Sequence, residues 1–341
     1  MTEVPPAVTQ QAPAARGGGR WRFLRRRLLQ AVPVVLLIVT CNFFLLRLAP
    51  GDPASVLAGE AGAASPEYMA QLREQFGLDQ PLLIQYLAYL WNVVTLDLGY
   101  SFRYQESNLS LIAGRMSATL LLMASSVLLS VGFGMLLGLV AALRRDRVEA
   151  ALILLAAVLA YAAPIFWLGL MFIVLFAIKL GWVPTSGMVT VGAAHQGLAH
   201  VLDVARHLIL PAVTLSLFYM ALYTRLMRAA VLENLRMNYV VTAQAKGVPP
   251  RRIVLRHVLR NAVLPLITMA GVQIGGALGG SVVVESVFGW PGLGLLAFDA
   301  LHARDLNLLL GILSLSSVVV VLANLVVDLM YSVIDPRVAL S

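Results

Sequence analysis

The chain has 341 residues, of which 60% are hydrophobic and 12% charged, with a net charge of +8. A soluble domain carries roughly a quarter charged residues, so a mean hydropathy of +0.84 places this chain among proteins solvated mainly by lipid. One cysteine, Cys41, excludes an internal disulfide framework and any cysteine-based metal site.

Residues 1–20 are rich in Pro, Ala and Gly and read as a disordered tail, extended by the basic run to residue 27. The apolar stretch that follows superficially resembles a signal peptide. Thr40 is too large for the position before a lipoprotein cysteine, no small-residue cleavage site follows, and further spans do. The first apolar segment is therefore expected to be an uncleaved membrane helix.

A helix needs about 20 apolar residues to cross the hydrocarbon core. Six stretches qualify: Leu28–Leu46, Ala118–Leu143, Ala150–Ile178, Leu208–Tyr223, Ala262–Val284 and Leu308–Tyr331. Continuous rather than alternating apolarity argues against a barrel. The expected fold class is an all-α membrane protein with six transmembrane helices. Its first span is residues 28–46, a loop with short helices covers 47–117, and the core covers 118–341.

Lysine and arginine placement predicts orientation. The tail carries Arg16, Arg20, Arg22, Arg25, Arg26 and Arg27, and the second loop Arg144, Arg145 and Arg147. The fourth connection carries Arg225, Arg228, Arg236, Lys246, Arg251, Arg252, Arg256 and Arg260, and the end Arg337. The alternate loops hold only Arg47, Arg73, Arg103, Arg115, Lys179, Arg206 and Arg304. Both termini are expected in the cytoplasm, and the basic excess needs no nucleic acid to explain it.

Within the loop 47–117, Pro50-Gly51-Asp52-Pro53 stops the first span. Ser65, Pro66 and Gly77 bound a short helix, and Tyr86, Tyr89 and Trp91 are placed to anchor the next segment at the membrane interface. Gly134 and Gly138 form a GxxxG pair in the second span, and Gly271, Gly275 and Gly279 repeat that spacing in the fifth, beside Gly276 and Gly280. Such spacing lets helix backbones approach closely, either within the chain or at a subunit contact or pathway. Asp328, Arg225 and Arg228 fall near cytoplasmic ends, and no ionisable group is expected in mid-span, where proton or ion pathways carry them.

The segment 233–264 is the most informative connection. Residues 233–246 predict a helix that Gly247 ends and Pro249 and Pro250 prevent from continuing. A second helix starts at Pro250, with Arg252, Arg256 and Arg260 on one face and Ile253, Val254, Leu255, Val258 and Leu259 supplying apolar surface. Two short helices at a sharp angle suit either partner docking or headgroup contact.

The run Thr242-AQAKGVPPRRIVLRHVLRN-Ala262, closing at Pro265, resembles the EAA loop of ABC importer permeases in its peptide-permease version. Ala243, Ala245, Lys246 and Gly247 match the core of that motif. Thr242 stands where the generic family has glutamate, and Gln244 where it has alanine. Further matches follow the chain: Phe43-FLLRLAPGDP-Pro53 leaving the first span, Phe76-GLDQPLLIQYLAYLWNVVTLDLGYSF-Phe102, Val284-ESVFGWPGLGLLAFDALHARD-Asp305 and Asp328-LMYSVIDPR-Arg337.

The resemblance implies a type I ABC importer permease fold with a cytoplasmic coupling helix, in the bacterial inner membrane. It further implies a second homologous permease, two ATP-binding subunits and an external solute-binding protein. ATP and Mg would sit on the partners, with no cofactor on this chain. It assigns coupling to Tyr239, Thr242, Ala243, Ala245, Lys246, Gly247, Arg251 and Arg252, and offers Gln273, Gly275, Gly276 and Gly279 as path candidates. Dipeptides or oligopeptides are the expected cargo by family frequency, with glutathione, nickel chelates and sugars as alternatives.

Rival classes lack their residues. There is no GxxxxGK[ST], so the chain is no P-loop ATPase, and no G-x-S-x-G or mid-span aspartate pair marks a membrane enzyme. His195, His200 and His207 match no metal-ligand spacing. An ion-coupled carrier working alone is disfavoured by the missing mid-span charges.

Overall fold

A computed structural model describes residues 18–48, 79–101, 103–193 and 195–334, with isolated positions between 67 and 77. Side-chain surroundings are not described for 18–24, 46–48, 272, 274–280 and 327–334. The Pro50–Pro53 turn and the Ser65–Pro66 cap lie outside the described residues. Gly77 takes φ +59 and bonds back to the Glu74 carbonyl, as a residue ending a helix does.

Helix α1 (Gly18–Leu48) begins well before the apolar stretch. Residues 18–27 are thus helical rather than part of a disordered tail, since Arg propagates a helix almost as well as Ala. Helix α2 (Leu82–Thr95) leads to a small hairpin in which β1 (Tyr100–Ser101) pairs antiparallel with β2 (Glu106–Ser107). Ser107 then caps the 36-residue helix α3 (Asn108–Leu143), its hydroxyl accepting from the Ser110 amide.

The expected third span is not one straight helix. It divides into α4 (Val148–Ala162) and α5 (Ile165–Phe172), the latter continued by a π-helical stretch Ile173–Lys179, with a bend of 106° between the parts. Pro164 is the cause: it has no N–H to donate, and Ala163 before it is held extended at ψ 136. The fourth span is longer than its apolar core, running as α6 over Leu198–Asn234.

The connection after α6 also differs from expectation. Asn234 stays in α6, where its amide donates to the Ala230 carbonyl and its oxygen accepts from the Tyr239 hydroxyl at 2.7 Å. A turn at 235–237 follows, so α7 covers only Asn238–Ala245 instead of starting at residue 233. Helix α8 (residues 250–262) contains a π-helical turn at Val254–Val258. It joins α9 (Leu264–Phe288) through Val263, whose backbone stays right-handed helical. The two expected units, docking helix and fifth span, therefore meet without a loop.

Helix α10 (Leu293–His302) folds back from α9 at 80°, and α11 (Leu306–Ile334) follows. Among the described residues, five helices are long and apolar enough to cross a membrane, or up to seven with two bent pairs. The end of the bundle that carries the α6–α7–α8 connection is termed lower, the opposite end upper.

Helices α3 and α6 form the centre. A Cβ on Gly138 would lie 2.5 Å from the Thr224 carbonyl oxygen, and one on Gly134 2.5 Å from Tyr223 Cβ. Of the two readings of that GxxxG pair, close packing inside the chain is the observed one. Around it one core runs from Val240, Ile253 and Val258 at the lower end through Tyr223 and Met227 to Phe288 and Trp290 above. A second cluster joins Ile112 to Leu293, Leu296, Leu308 and Ile312.

Candidate functional site: a lower docking surface and a buried upper joint

The lower surface is built by one turn. Gly247 takes φ +74, a left-handed conformation that costs an L side chain roughly 1–2 kcal/mol. Its amide reaches the Gln244 carbonyl at 2.9 Å, and the Val248 amide reaches Ala243 at 3.1 Å, closing α7. Pro249 and Pro250 then start α8.

Burial separates anchors from free faces. Val240 is 1% exposed, Ala243 9% and Ile253 2%, and these fix the turn to the bundle. Tyr239, Thr242, Ala245, Lys246, Gly247, Arg251 and Arg252 are all exposed at the lower surface. The eight residues singled out in the sequence follow one another along α7, the turn and α8, with Ala243 buried against the bundle. Met237, Val241 and Leu255 add exposed apolar surface beside them, 41%, 57% and 52% accessible. A patch mixing apolar side chains with two arginines and a lysine is suited to another protein. Of the path candidates, Gln273 is half-buried in α9; Gly275, Gly276 and Gly279 are helical, and their surroundings lie outside the described residues.

At the upper end the structure holds a group that the sequence reading passed over. Helix α9 runs four residues beyond Val284, and Glu285 inside it is 0% exposed. Its carboxylate accepts from Thr119 Oγ1 on α3 at 2.8 Å and from the Leu295 amide at 3.0 Å, with the Gly294 amide and Ser281 hydroxyl also bonded to it. The Leu293 amide donates to Thr119 Oγ1 at 2.7 Å. The first three amides of α10, which lack intrahelical partners, are thereby satisfied by two side chains from other helices. A buried charge lacking such donors would be very costly.

Glycines admit this arrangement. A Cβ on Gly292 would sit 2.5 Å from the Glu285 carboxylate oxygens, and one on Gly294 2.6 Å from Val282 Cα. Trp290, fully buried, donates from its indole to the Ala118 carbonyl at 2.9 Å. The signal in the sequence was a carboxylate four residues before Gly289, in front of Trp290-Pro291-Gly292. Its partner Thr119 is too distant in the chain to be read there.

The segment 180–193 is pinned across this end. Asp203 on α6 accepts from the Thr190 amide at 2.7 Å and hydroxyl at 2.8 Å, and the Gly187 amide donates to the Phe288 carbonyl at 2.9 Å. His207 Nδ1 contacts the Asp203 carbonyl at 2.8 Å, His195 and His200 are exposed, and among the described residues no group of three His, Cys, Asp or Glu side chains is placed to hold a metal ion. Tyr86 and Tyr89, expected as interface anchors, are half-buried: Tyr86 is hydrogen-bonded to Thr40 on α1 at 2.7 Å and Tyr89 to Ser314 on α11 at 2.6 Å.

Among the described residues, five helices long and apolar enough to cross a membrane and two bent pairs, with a buried polar joint above and an exposed turn below, define a polytopic membrane protein. Two family descriptions match the chain: "Binding-protein-dependent transport system inner membrane component" over residues 134–340, and the N-terminal membrane component of the same systems over residues 20–123. The chain belongs to this family of binding-protein-dependent permease components. A putative peptide permease protein of Brucella ovis is 39% identical over 318 residues, 93% of this chain and 98% of that one. The di/tripeptide transport system permease protein DppB of Pseudomonas aeruginosa is 38% identical over 332 residues, and the dipeptide permease DppB of Escherichia coli 35% over 334, each covering 93% of this chain. In fold, the chain is similar to the inward-facing MetNI methionine ABC transporter, with TM-score 0.51 and 16% identity over 66% of this chain and 96% of that one.

Proposed function

We propose that this chain is the membrane-spanning half of an ATP-driven importer for dipeptides or oligopeptides. It pairs with a second homologous permease, two ATP-binding subunits dock at the lower surface, and an external solute-binding protein delivers cargo above. The lower end then faces the cytoplasm, along with both termini, in agreement with the arginine-rich connections there. ATP and Mg belong to the docked subunits. The peptide reading is favoured by the names of the relatives; glutathione, a nickel chelate or a sugar are the other cargoes the binding protein could select.

The observation that carries the mechanism is the loopless junction at Val263 between docking helix α8 and span α9. A push on Arg251 and Arg252 is delivered to a helix whose far end holds Glu285, and through it α10 and α3. The small residues of α9, with Gln273, are the candidates for the path this helix lines. Alternating access then follows from ATP favouring one of two packed arrangements. The test is purification of the tagged chain from its native membrane, followed by a vanadate-sensitive ATPase assay. Co-purifying ATP-binding subunits and a second permease, with hydrolysis stimulated by a binding protein carrying a peptide, is the expected result. A chain that purifies alone, with no associated hydrolysis, overturns the proposal.

A further inference from the structure

Helix α2 lies in the connection between α1 and α3. Its 14 residues, LLIQYLAYLWNVVT, contain no charge and none is buried. At about 1.5 Å per residue it is roughly 21 Å long, too short to cross a hydrocarbon core of about 30 Å. Three faces can be told apart along it. Gln85, Tyr86, Tyr89, Leu90 and Val93 are half-buried against the bundle. Leu83, Leu87, Trp91 and Val94, spaced four, four and three residues, form an apolar stripe with exposures of 67%, 55%, 68% and 76%. Ala88, Asn92 and Thr95 form a third face, also exposed, which is small and polar except for Ile84 at its start.

Two tethers set its depth. Tyr86 is bonded to Thr40, six residues inside the upper apolar limit of α1 at Leu46, and Tyr89 to Ser314, six residues inside that of α11 at Leu308. Each lies about 9 Å along its helix from the end of that apolar run. Phe43 stacks on Tyr89 at 5.4 Å and Phe44 on Tyr86 at 5.9 Å, fixing the helix beside α1. Asp79 and Asp97, just beyond its ends, are exposed and require polar surroundings. A helix with charged flanks, one apolar free face and one mainly polar, and tyrosines bonded inside the apolar runs of two candidate spans matches a segment lying in the plane of the bilayer surface.

We infer that α2 is an interfacial helix seated in the leaflet at the upper end, with Leu83, Leu87, Trp91 and Val94 in contact with lipid acyl chains. Its occupant is lipid because the helix is tethered to two candidate membrane spans, α1 and α11, and the stripe carries no charge to meet a partner's. The depth follows from the tethers and the apolar limits of α1 and α11; that this leaflet is the external one rests on the orientation proposed above.

The test uses nitroxide labels on single cysteines in a Cys41→Ser background, in the assembled transporter reconstituted into phosphatidylethanolamine–phosphatidylglycerol vesicles. Labels at Leu87→Cys and Val94→Cys are expected to collide with oxygen in preference to a water-soluble nickel chelate, and a label at Asn92→Cys to show the reverse. Preference for nickel at Leu87 and Val94 would place α2 in water, and exclusion of both reagents would show a protein covering the stripe; either overturns the inference. Leu128→Cys, on the exposed face of α3, must prefer oxygen whatever α2 does, so loss of that preference sinks the membrane span instead. Impermeant maleimide reacting with Asn92→Cys from one side of sealed vesicles reports orientation separately.

Discussion

Thr119 on α3 and Glu285 on α9, 166 residues apart in the chain, share a 2.8 Å hydrogen bond in a fully buried joint. The same threonine oxygen accepts from the first amide of α10. Thr119→Val preserves shape and removes both bonds, leaving a buried amide and carboxylate short of partners, at about 1–3 kcal/mol each. Glu285→Ala is expected to cost at least as much. Thermal unfolding of the purified complex, followed by size-exclusion fluorescence, should show both variants lowered and Thr119→Ser close to the parent. An unchanged midpoint for Thr119→Val would remove the joint from any structural role.

Gly138 and Gly132 lie six residues apart on α3 and predict opposite outcomes. A methyl on Gly138 meets the Thr224 carbonyl, whereas one on Gly132 meets nothing within 4 Å. Gly138→Ala should force α3 and α6 apart and destabilise by about 1–3 kcal/mol. Gly132→Ala should be neutral to slightly stabilising, because alanine is the better helix former. Equal expression and equal unfolding midpoints for the two would contradict the packing described.

Gly247 separates docking from insertion. Proline at 247 fixes φ near −65°, incompatible with the observed +74°, and removes the amide bonded to Gln244. Gly247→Pro is expected to insert normally, to retain basal hydrolysis in any subunits that stay bound, and to lose binding-protein-stimulated transport. Gly247→Ala, which keeps the amide and costs roughly 1–2 kcal/mol of backbone strain, should be a partial version of the same defect. Normal uptake by the proline variant falsifies the docking role.

The junction at Val263 makes a mechanical prediction. Two glycines inserted between Val263 and Leu264 would break the helical continuity while leaving both surfaces intact. Subunit binding should persist, hydrolysis should lose its response to the loaded binding protein, and uptake should fall to background. Retention of coupled transport would mean that force reaches the spans by another route, such as the core contacts of Val240 and Ile253.

Much was legible because lipid imposes a coarse code. Continuous apolar runs marked the positions of the spans, and Gly247 with two prolines marked the docking turn, since both signals are local in the chain. What misled was also local: the apolar run 150–178 hid the bend that Pro164 imposes. Glu285 was overlooked because it stands one residue past the apolar stretch, and only tertiary context tells a buried carboxylate from a solvated one.

By itself the sequence determined that the chain lives in lipid, roughly where it crosses, and that Gly247 and two prolines separate two short helices in the connection 233–264. Hydrophobicity, proline chemistry and glycine's access to positive φ settle those points residue by residue. The tertiary structure alone decided that α8 feeds directly into α9, that Thr119 and Glu285 terminate α10, and that Tyr86 and Tyr89 are hydrogen-bonded to α1 and α11. Each of these depends on pairing donors with acceptors between helices distant in the chain, and no local pattern of residues encodes which distant partner will satisfy a buried polar group.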